Sequence, residues 1–357
     1  ICSQPDLVPQ SGCEHIASSS KELSPRAKLL GFFNEYVMSF IEKLTKKLNE
    51  LNESELIRWR SELEVERFLI NAPKKYKVYT IPKRTSGHRV IAQPSKELKE
   101  YQRAYLKIQS LPIHDAATAY RIGLSIKENA SAHKNHSYLL KLDLENFFNS
   151  ISNNLFWKIW KSIEPLPNKK DKALIEKLLF WCPSKISGGS LVLSIGAPSS
   201  PLISNFFMYH FDIAISEFCS DKDIVFTRYA DDLTFSTNHK DILFQIPDLI
   251  KGQLKSSFGN AIKINRKKTK FSSKGHNRHV TGITITNDGN LSLGRERKRY
   301  IKHMVHQYLL EKLSRDDIFH LKGLLAFTKH IEPTFIKTLR TKYSVEVIDR
   351  IFEEQND

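Results

Sequence analysis

Three aspartates carry the most specific chemical signal in this sequence. Asp231 and Asp232 are adjacent, and the residues on either side of them, from Phe226 to Ser236, alternate between apolar and polar. This alternation predicts a β-hairpin that presents both carboxylates at its tip. Because adjacent carboxylates repel each other, the arrangement favours a divalent cation with hard oxygen ligands, which suits Mg²⁺.

The third aspartate ends an apolar segment upstream. Residues 138–143 (Tyr-Leu-Leu-Lys-Leu-Asp) have the pattern of a buried strand that finishes at Asp143. A carboxylate there would complete a site for two metal ions about 4 Å apart, which would activate an attacking hydroxyl and stabilise a leaving pyrophosphate. The alternative is that Asp231 and Asp232 form only a turn and that Asp143 is only a cap.

Positive charge is concentrated in two segments of the chain. The 357 residues have a formal net charge of +16. The local excess is +8 in residues 74–107 and +12 in residues 251–302, which leaves the remainder slightly acidic. Tyrosines such as Tyr76, Tyr79 and Tyr300 are interleaved with the basic residues. Together these segments predict a groove that binds a polyanion and offers stacking positions, with solvated helix faces as the alternative.

The composition excludes several other classes of protein. With 40% hydrophobic and 26% charged residues the chain has ordinary globular proportions. No run approaches the roughly 18 apolar residues of a membrane-spanning helix, and the first residues lack the pattern of a signal peptide. The four cysteines are scattered and include no Cys-x-x-Cys pair, so neither a disulfide framework nor a zinc knuckle is indicated. We expect a soluble, unexported protein of a reducing cytoplasm, with no membrane partner.

Helical and extended patterns must position the aspartates and the basic segments. Residues 1–22 have no periodicity, whereas residues 24 to about 51 and residues 52–69 each predict a helix. Residues 76–92 predict a basic β-hairpin whose turn contains Gly87. After residue 289 the pattern is mostly helical to Glu354.

Five boxes along the chain resemble those of reverse transcriptases and follow the order of that family. They are the triphosphate-binding fingers hairpin at 83–89, the motif of the first palm aspartate at 143–148, the loop along the incoming nucleotide at 196–201, the YADD box at 229–232 and the lysine motif at 264–269. Because five boxes occur in order, the resemblance is highly specific, and it spans most of the chain.

Two further boxes resemble those that mark retron enzymes. Residues 129–133 (Asn-Ala-Ser-Ala-His) are similar to the NAxxH box and residues 280–282 (Val-Thr-Gly) to the VTG box. The resemblance is therefore to a retron-type bacterial reverse transcriptase.

This resemblance implies an α+β right-hand polymerase with fingers, palm and thumb, an RRM-like antiparallel palm sheet and a helical N-terminal extension. The implied divisions are an N-terminal arm and helices at 1–72, mainly fingers at 73–140, mainly palm at 141–289 with finger elements at 151–195, and a helical thumb at 290–357.

The resemblance also implies an activity and its partners. The enzyme would be an RNA-directed DNA polymerase that uses dNTPs to reverse transcribe a structured non-coding RNA, which serves as template and primer. Its product would be RNA-linked single-stranded DNA (msDNA), made as part of an anti-phage defence system with a separate effector protein. Its implied location is the bacterial cytoplasm.

The catalytic roles follow from the resemblance residue by residue. Asp143, Asp231 and Asp232, together with Leu144, are the implied ligands of two Mg²⁺ ions. Lys268 is the implied charge stabiliser or proton donor at the leaving pyrophosphate.

The implied binding residues fall into two sets. The nucleotide-binding set is Lys83, Arg84, Arg89, Phe148, Gly196, Ala197 and Pro198. The RNA-binding set is Asn129, His133, Val280, Thr281, Gly282, Arg295, Arg297, Lys298, Arg299 and Lys302. By resemblance Phe148 lies under the sugar and excludes a 2′-hydroxyl, although a Phe-Phe pair at a strand end is otherwise core. The five basic residues of the last set cannot share one helix face, so some of them pack or stay solvated.

One position departs from the family pattern. Ile195 stands where the loop usually has a Gln, which removes an amide near the nucleotide or template and bears on fidelity and processivity.

Other functions stay open as alternatives. They are a defence-associated reverse transcriptase of another group, a group II intron-like enzyme, and a scaffold that binds an RNA or an effector without catalysis. The two retron boxes disfavour the first two, the lack of a maturase or endonuclease region after the thumb also disfavours the intron enzyme, and the complete set of aspartates disfavours the scaffold.

Overall fold

Two helices begin the part of the chain that the structure describes. A computed structural model describes residues 38–52, 60–83, 87–186 and 188–354. Helix α1 covers Phe40–Asn52 and helix α2 covers Glu62–Asn71. The predicted helix at 24–51 is described only from its C-terminal part, and the rest of it lies outside the described residues.

The second helix starts later than the pattern predicted. Ser61 caps α2 with a capping box, in which its hydroxyl accepts a hydrogen bond from the Glu64 N–H and the Glu64 carboxylate accepts one from the Ser61 N–H. This cap defines the helix start at residue 62, ten residues after the predicted start.

A basic β-hairpin follows, as predicted. Strand β1 covers Tyr76–Pro82 and pairs antiparallel with β2, which covers His88–Pro94. Both strands are one or two residues longer than the alternation indicated. Helix α3 (Lys96–Ile108) then packs against α1, and its buried Tyr105 contacts Phe40 at 6.1 Å between ring centroids.

A four-stranded antiparallel sheet lies at the centre of the molecule. Its strands are β3 (Tyr138–Asp143), β4 (Val225–Tyr229), β5 (Asp232–Thr237) and β6 (Lys270–Ser273), in the spatial order β4-β5-β3-β6. Within this β-α-β-β-α-β unit the order is second, third, first and fourth, which is the arrangement of an RRM-like sheet. The predicted palm sheet is therefore confirmed.

Helices connect and cover these strands. The helix before β3 is α4 (Ile126–Ala132). Between β3 and β4 lie α5 (Phe147–Ser150), α6 (Asn153–Ile163), α7 (Lys169–Leu179), α8 (Ser200–Phe207) and α9 (Tyr209–Ser220), and between β5 and β6 lies α10 (Ile246–Phe258). Short 3-10 helices occur at Ala72–Lys74, Ile242–Gln245 and Arg266–Lys268.

The C-terminal part consists of a small sheet and four helices. The strands are β7 (Arg278–Val280), β8 (Ile283–Ile285) and β9 (Leu291–Ser292), paired antiparallel in that order. The helices are α11 (Arg295–Leu309), α12 (Arg315–Ile331), α13 (Pro333–Tyr343) and α14 (Val345–Glu353). The predicted helical character after residue 289 is confirmed.

Two hydrophobic cores hold these parts together. The first includes α1 to α3, the helices around the central sheet and sheet residues such as Leu142, Leu233 and Phe235. The second includes β7 to β9 and α11 to α14, and it also contains Ala130 of α4 and Leu139 of β3. Because those two residues come from the central sheet and its neighbouring helix, the second core joins the C-terminal helices to that sheet.

The mixture of antiparallel sheets and helices confirms the α+β class. Within the described residues, no helix is both long enough and apolar enough to cross a lipid bilayer.

Candidate active site

The three predicted aspartates lie at one end of the central sheet. Asp143 is the last residue of β3 and stands directly across from Asp232, the first residue of β5. Asp231 lies in the turn between β4 and β5, and its carbonyl accepts a 3.0 Å hydrogen bond from the Leu144 N–H. That hydrogen bond fixes the turn against the chain that leaves β3, so strand register and turn together place the three carboxyl groups near one another.

These carboxyl groups lie in an environment that disfavours negative charge. Burial, reinforced by the charge of Asp231, raises the pKa of Asp232 to about 6. Burial also raises the pKa of Asp231, and the charge of Asp143 adds to this effect. Nearby basic side chains offset only part of this effect, and a bound cation would further favour the charged carboxylates.

Asp143 is held by two side chains from the segment after α10. The Lys268 ammonium lies 2.7 Å from Asp143 Oδ2, and Asn265 Nδ2 lies 3.2 Å from Oδ1. The Asn265 N–H also donates to the Asp143 carbonyl at 2.7 Å. The hydrogen bond to Asp143 raises the pKa of Lys268, so this amine is charged at neutral pH.

The donor set fits a hard divalent cation, although the carboxylates are not arranged around one. Asp143, Asp231 and Asp232 offer only oxygen ligands, as Mg²⁺ prefers, and Leu144 can add only its backbone carbonyl. No group of three or more His, Cys, Asp or Glu side chains within the described ranges is already disposed as metal ligands. Both oxygens of Asp143 accept hydrogen bonds, one from Lys268 and one from Asn265.

A cavity of about 590 Å³ opens beside the aspartates. Asp143, Asp231 and Lys268 line one part of it, and Lys83 and Arg89 of the β1–β2 hairpin line another. Two of the predicted triphosphate ligands, Lys83 and Arg89, therefore face the same space as Asp143 and Asp231. Arg84 lies outside the described residues.

The predicted nucleotide loop borders this cavity and a second one of about 320 Å³. Gly196, Ala197 and Pro198 line the second cavity, and Phe148 and Ile195 line both. Phe148 is half-buried and also packs against the first core. Its position agrees with both interpretations, core packing and exclusion of a 2′-hydroxyl.

Backbone contacts explain the glycine in this loop. The Ile195 carbonyl accepts a 3.0 Å hydrogen bond from the Ala92 N–H of β2. Gly196 has φ +124°, and a Cβ there would lie 3.2 Å from the Ala92 carbonyl oxygen. Because the backbone of Ile195 makes the contact, the loop is attached to β2 without the amide of the usual Gln.

Tyr120 was not found from the sequence. It lines both cavities, is 51% exposed and has φ +61°. Its ring centroid lies 6.5 Å from that of Tyr229, beside the carboxylates. No spacing or motif marks it, because a single tyrosine in an irregular segment carries no periodic signal.

Arg228 was also missed. It is fully buried, and its guanidinium contacts Asp212 of α9, Asn205 of α8 and the carbonyl of Ala230. An arginine in an alternating strand is expected to face solvent, so these buried contacts are seen only in the folded structure.

The NAxxH residues lie inside the protein. The Asn129 side-chain oxygen accepts hydrogen bonds from the hydroxyls of Thr118 at 3.0 Å and Thr227 at 2.7 Å. His133 contacts the Ser236 hydroxyl at 2.7 Å and the Thr227 hydroxyl at 2.8 Å. Both side chains have no exposed surface, which corrects the prediction that they contact RNA. They join α4 to strands β4 and β5.

Burial also decides the protonation of His133. It lowers the pKa of this imidazole to about 3, so the ring is neutral. Since the Thr227 hydroxyl gives its hydrogen to Asn129, His133 Nε2 must donate to Thr227 and Nδ1 must accept from Ser236.

The VTG residues differ in exposure. Val280 is fully buried in the second core, which corrects its predicted contact with RNA. Thr281 and Gly282 form the turn to β8 with φ values of +47° and +83°. The Thr281 hydroxyl lies 3.4 Å from Asn129 Nδ2, so the two retron boxes contact each other. Gly282 is exposed.

A groove of about 1010 Å³ lies between the small sheet and the start of α11. Of the predicted RNA-binding residues, it is lined by Gly282, Arg295, Arg297, Lys298 and Arg299. Lys274 and His276 lie on its rim with them. The structure therefore gathers most of the exposed predicted RNA ligands around one basic groove.

The basic residues of α11 fall into two sets. Arg297 lies over the Phe327 ring at 5.2 Å, Lys298 bonds Glu332 at 2.5 Å, and Lys302 lies over the Phe335 ring at 5.6 Å. These three pack against the neighbouring helices. Arg295 and Arg299 are exposed, one helical turn apart.

Comparisons with known proteins identify the family. A family model described as "Reverse transcriptase (RNA-dependent DNA polymerase)" matches residues 81–285. The retron Ec83 reverse transcriptase of Escherichia coli is 50% identical over 278 residues, which are 77% of this chain and 89% of that protein. The retron Ec73 reverse transcriptase of Escherichia coli is 34% identical over 293 residues, which are 78% of this chain and 90% of that protein. The matched family region contains all three aspartates and Lys268.

Proposed function

Because the chain belongs to the retron reverse transcriptases, we propose that it copies a structured non-coding RNA into single-stranded DNA that stays joined to that RNA. As a member of this family it is an RNA-directed DNA polymerase, and retron enzymes act with a non-coding RNA template. The same RNA would also be the primer, and dNTPs the substrates. The observation that carries the proposal is the cluster of three aspartates, two of which line a cavity together with Lys83, Arg89 and Lys268.

We propose that residues 73–140 are mainly fingers, residues 141–289 mainly palm with finger elements at 151–195, and residues 290–357 a helical thumb, after an N-terminal arm and helices at 1–72. In this division the β1–β2 hairpin belongs to the fingers, the central sheet to the palm and α11 to α14 to the thumb. The carboxylates of the palm would then face the triphosphate ligands of the fingers.

Reverse transcriptases use divalent metal ions, and we propose two Mg²⁺ ions held by Asp143, Asp231, Asp232 and the Leu144 carbonyl. When bound, such ions activate the attacking hydroxyl and stabilise the leaving pyrophosphate. Lys268 supplies the positive charge nearest to Asp143, and its amine carries a proton that it can donate as the pyrophosphate leaves. Release of Asp143 by Lys268 would free Oδ2, while Asn265 contacts Oδ1.

The other residues of the cavity would bind and orient the nucleotide. Lys83 and Arg89 would contact the triphosphate, and Phe148 would lie beneath the sugar. Gly196, Ala197 and Pro198 would form the wall along the base pair. These roles come from the resemblance, and the positions of the residues around the two cavities support them.

The basic groove at α11 would bind the folded RNA. Exposed Arg295 and Arg299 line this groove together with Gly282, and Thr281 precedes Gly282 in the same turn. The packed residues of α11 would support this surface by holding the helix against its neighbours; they are Arg297, Lys298 and Lys302. We also propose a role in anti-phage defence with a separate effector protein, supported by the family alone.

A double substitution tests the site assignment. Asp231→Asn with Asp232→Asn should abolish DNA synthesis in primer extension, because it removes two metal ligands. RNA binding should stay within about twofold, since these residues lie away from the α11 groove.

A matched control is available on the surface. Asp221 and Asp316 are both exposed, at the end of α9 and in the first turn of α12. Asp221→Asn with Asp316→Asn removes the same charge and should leave synthesis unchanged. Synthesis by the Asp231 and Asp232 double variant would reject the proposed site, and loss of synthesis in the control would show that lost charge alone explains the effect.

A further inference from the structure

A fully buried ion pair lies directly beneath the turn that carries Asp231. Arg228 and Asp212 both have no exposed side-chain surface. Arg228 Nε donates to Asp212 Oδ1 at 2.8 Å, and its Nη2 donates to Oδ2 at 2.6 Å. The two groups thus form a bidentate contact between β4 and α9, which sets the plane of the guanidinium.

The remaining guanidinium nitrogen points at the turn itself. Arg228 Nη1 donates to the Ala230 carbonyl at 3.1 Å and to Asn205 Oδ1 at 3.1 Å. Ala230 precedes Asp231 and has φ +57°, a conformation that residues with a Cβ rarely adopt. The hydrogen bond to its carbonyl therefore stabilises a turn that the local sequence does not favour.

The same residues attach the turn to the segment that carries Tyr120. The Arg228 N–H donates to the Ala116 carbonyl at 2.7 Å, and the Thr118 N–H donates to the Arg228 carbonyl at 2.9 Å. Asn205 Nδ2 donates to the Ala119 carbonyl at 2.9 Å. The guanidinium thus lies at the junction of the aspartate turn with the cavity wall that holds Tyr120.

Stability alone does not account for this arrangement. A buried ion pair often contributes no more than an apolar pair of the same volume, because desolvation offsets the attraction. What an apolar pair cannot do is donate to the Ala230 carbonyl. The planar fork of an arginine reaches Asp212, Asn205 and that carbonyl at once, and a lysine cannot.

We propose that Arg228 is a positioning residue for the polymerase reaction, which fixes Asp231 against Asp143 through the Ala230 carbonyl and is itself oriented by Asp212 and Asn205. This inference rests on the proposed metal role of the aspartates. A misplaced carboxylate weakens metal binding and slows nucleotide addition, because displacements of about 1 Å at a reacting centre cost about a hundredfold.

Two variants separate this role from a structural one. Arg228→Lys keeps the charge next to Asp212 and removes the fork. Arg228→Met with Asp212→Leu replaces the ion pair by apolar side chains, a change that proteins often tolerate. Arg278→Lys is the matched control, because Arg278 is also fully buried and also donates to backbone carbonyls, at His136 and Thr286.

Three measurements are made on each folded variant. Thermal unfolding reports the fold, and electron paramagnetic resonance of free Mn²⁺ reports metal binding without turnover. Single-nucleotide addition on an RNA template reports kcat and KM for the dNTP. Both Arg228 variants should bind Mn²⁺ at least about fivefold more weakly and lose about 10- to 100-fold in kcat, with KM for the dNTP within about threefold. Arg278→Lys should bind Mn²⁺ like the parent.

The outcomes decide the proposal in each case. Normal Mn²⁺ binding and kcat in either folded Arg228 variant would overturn it. If Arg228→Lys does not fold, the apolar double variant alone tests the proposal. If neither variant folds, the ion pair is required for the core to form, and the proposal of a separate positioning role is rejected. Asp231→Asn is run in parallel. If that variant keeps Mn²⁺ binding and synthesis, the proposed metal site itself fails, whatever Arg228 does.

Discussion

The two sets of basic residues on α11 lead to a quantitative prediction about RNA binding. Arg295 and Arg299 are exposed on one side of the groove, whereas Arg297 and Lys298 contact Phe327 and Glu332. Only the exposed set is free to replace the counterions of RNA phosphates. We therefore expect Arg295→Ala with Arg299→Ala to change the salt dependence of binding.

The expected size follows from counterion release. Each phosphate contact contributes roughly 0.7 to 0.9 to the slope of log K against log salt concentration. Losing two contacts should lower that slope by about 1.4 to 1.8. Between 50 and 200 mM salt the parent should then lose about tenfold more affinity than the double variant.

The assay is filter binding of the cognate RNA across a salt series, with an unrelated duplex beside it. Lys312, between α11 and α12, and Lys337 of α13 are exposed, and Lys312→Ala with Lys337→Ala removes the same charge. This control should leave the slope nearly unchanged. Lys298→Ala should mainly lower thermal stability, because it removes the partner of Glu332.

The opposite pattern would refute the reasoning. An unchanged slope in the Arg295 and Arg299 double variant, together with a lower slope in Lys298→Ala, would mean that the packed set contacts RNA. The binding surface would then differ from the groove described above.

Three further predictions concern single residues. Phe148→Ala should raise ribonucleotide incorporation at least about tenfold in single-nucleotide addition, and an unchanged ratio would mean that Phe148 only packs in the core. Gly196→Ala should lower kcat/KM for the dNTP at least about tenfold because its Cβ would meet the Ala92 carbonyl, while Gly252→Ala, where a Cβ meets nothing, should have no effect. His133 is neutral when folded and has a pKa near 6.5 when unfolded, so stability is lost as the pH falls below about 6.5. From pH 7 to pH 5 the free energy of unfolding of the parent should fall by about 2 kcal/mol more than that of His133→Gln. The same pH dependence for both proteins in denaturant melts would contradict the buried neutral state of His133.

The elements that position the aspartates were predictable because their patterns are local. Strand β3 is a short apolar run that ends in Asp143, and β4 and β5 alternate on either side of the turn at 230–231. A period of two residues and a tight turn are readable in any sequence. The order of the sheet came from the resemblance, since strand order depends on contacts between distant segments.

The exposure of individual motif residues was not predictable. The NAxxH box marks a family, but whether Asn129 and His133 contact RNA or the protein depends on how α4 packs against β4 and β5. The ring of His133 and the amide of Asn129 are polar, and a polar residue in a helix is usually exposed. Here hydroxyls from Thr118, Thr227 and Ser236 satisfy them inside the protein.

Arg228 was also not predictable, because its contacts come from distant segments of the chain. Its partners Asp212 and Asn205 precede it by 16 and 23 residues and come from two different helices. Charged residues are usually exposed, so a buried arginine in a strand is not expected from the sequence. Its burial is explained only when all of its hydrogen-bond acceptors are known.

The proposed function requires that this enzyme makes DNA joined to its own RNA at the three aspartates. The most direct measurement is sequencing of the nucleic acid that copurifies with the protein expressed together with its RNA, with and without nuclease that digests RNA. The parent protein should carry RNA covalently joined to single-stranded DNA, and the Asp231→Asn and Asp232→Asn double variant should carry the RNA alone. DNA joined to RNA in the double variant, or RNA without DNA in the parent, would contradict the claim.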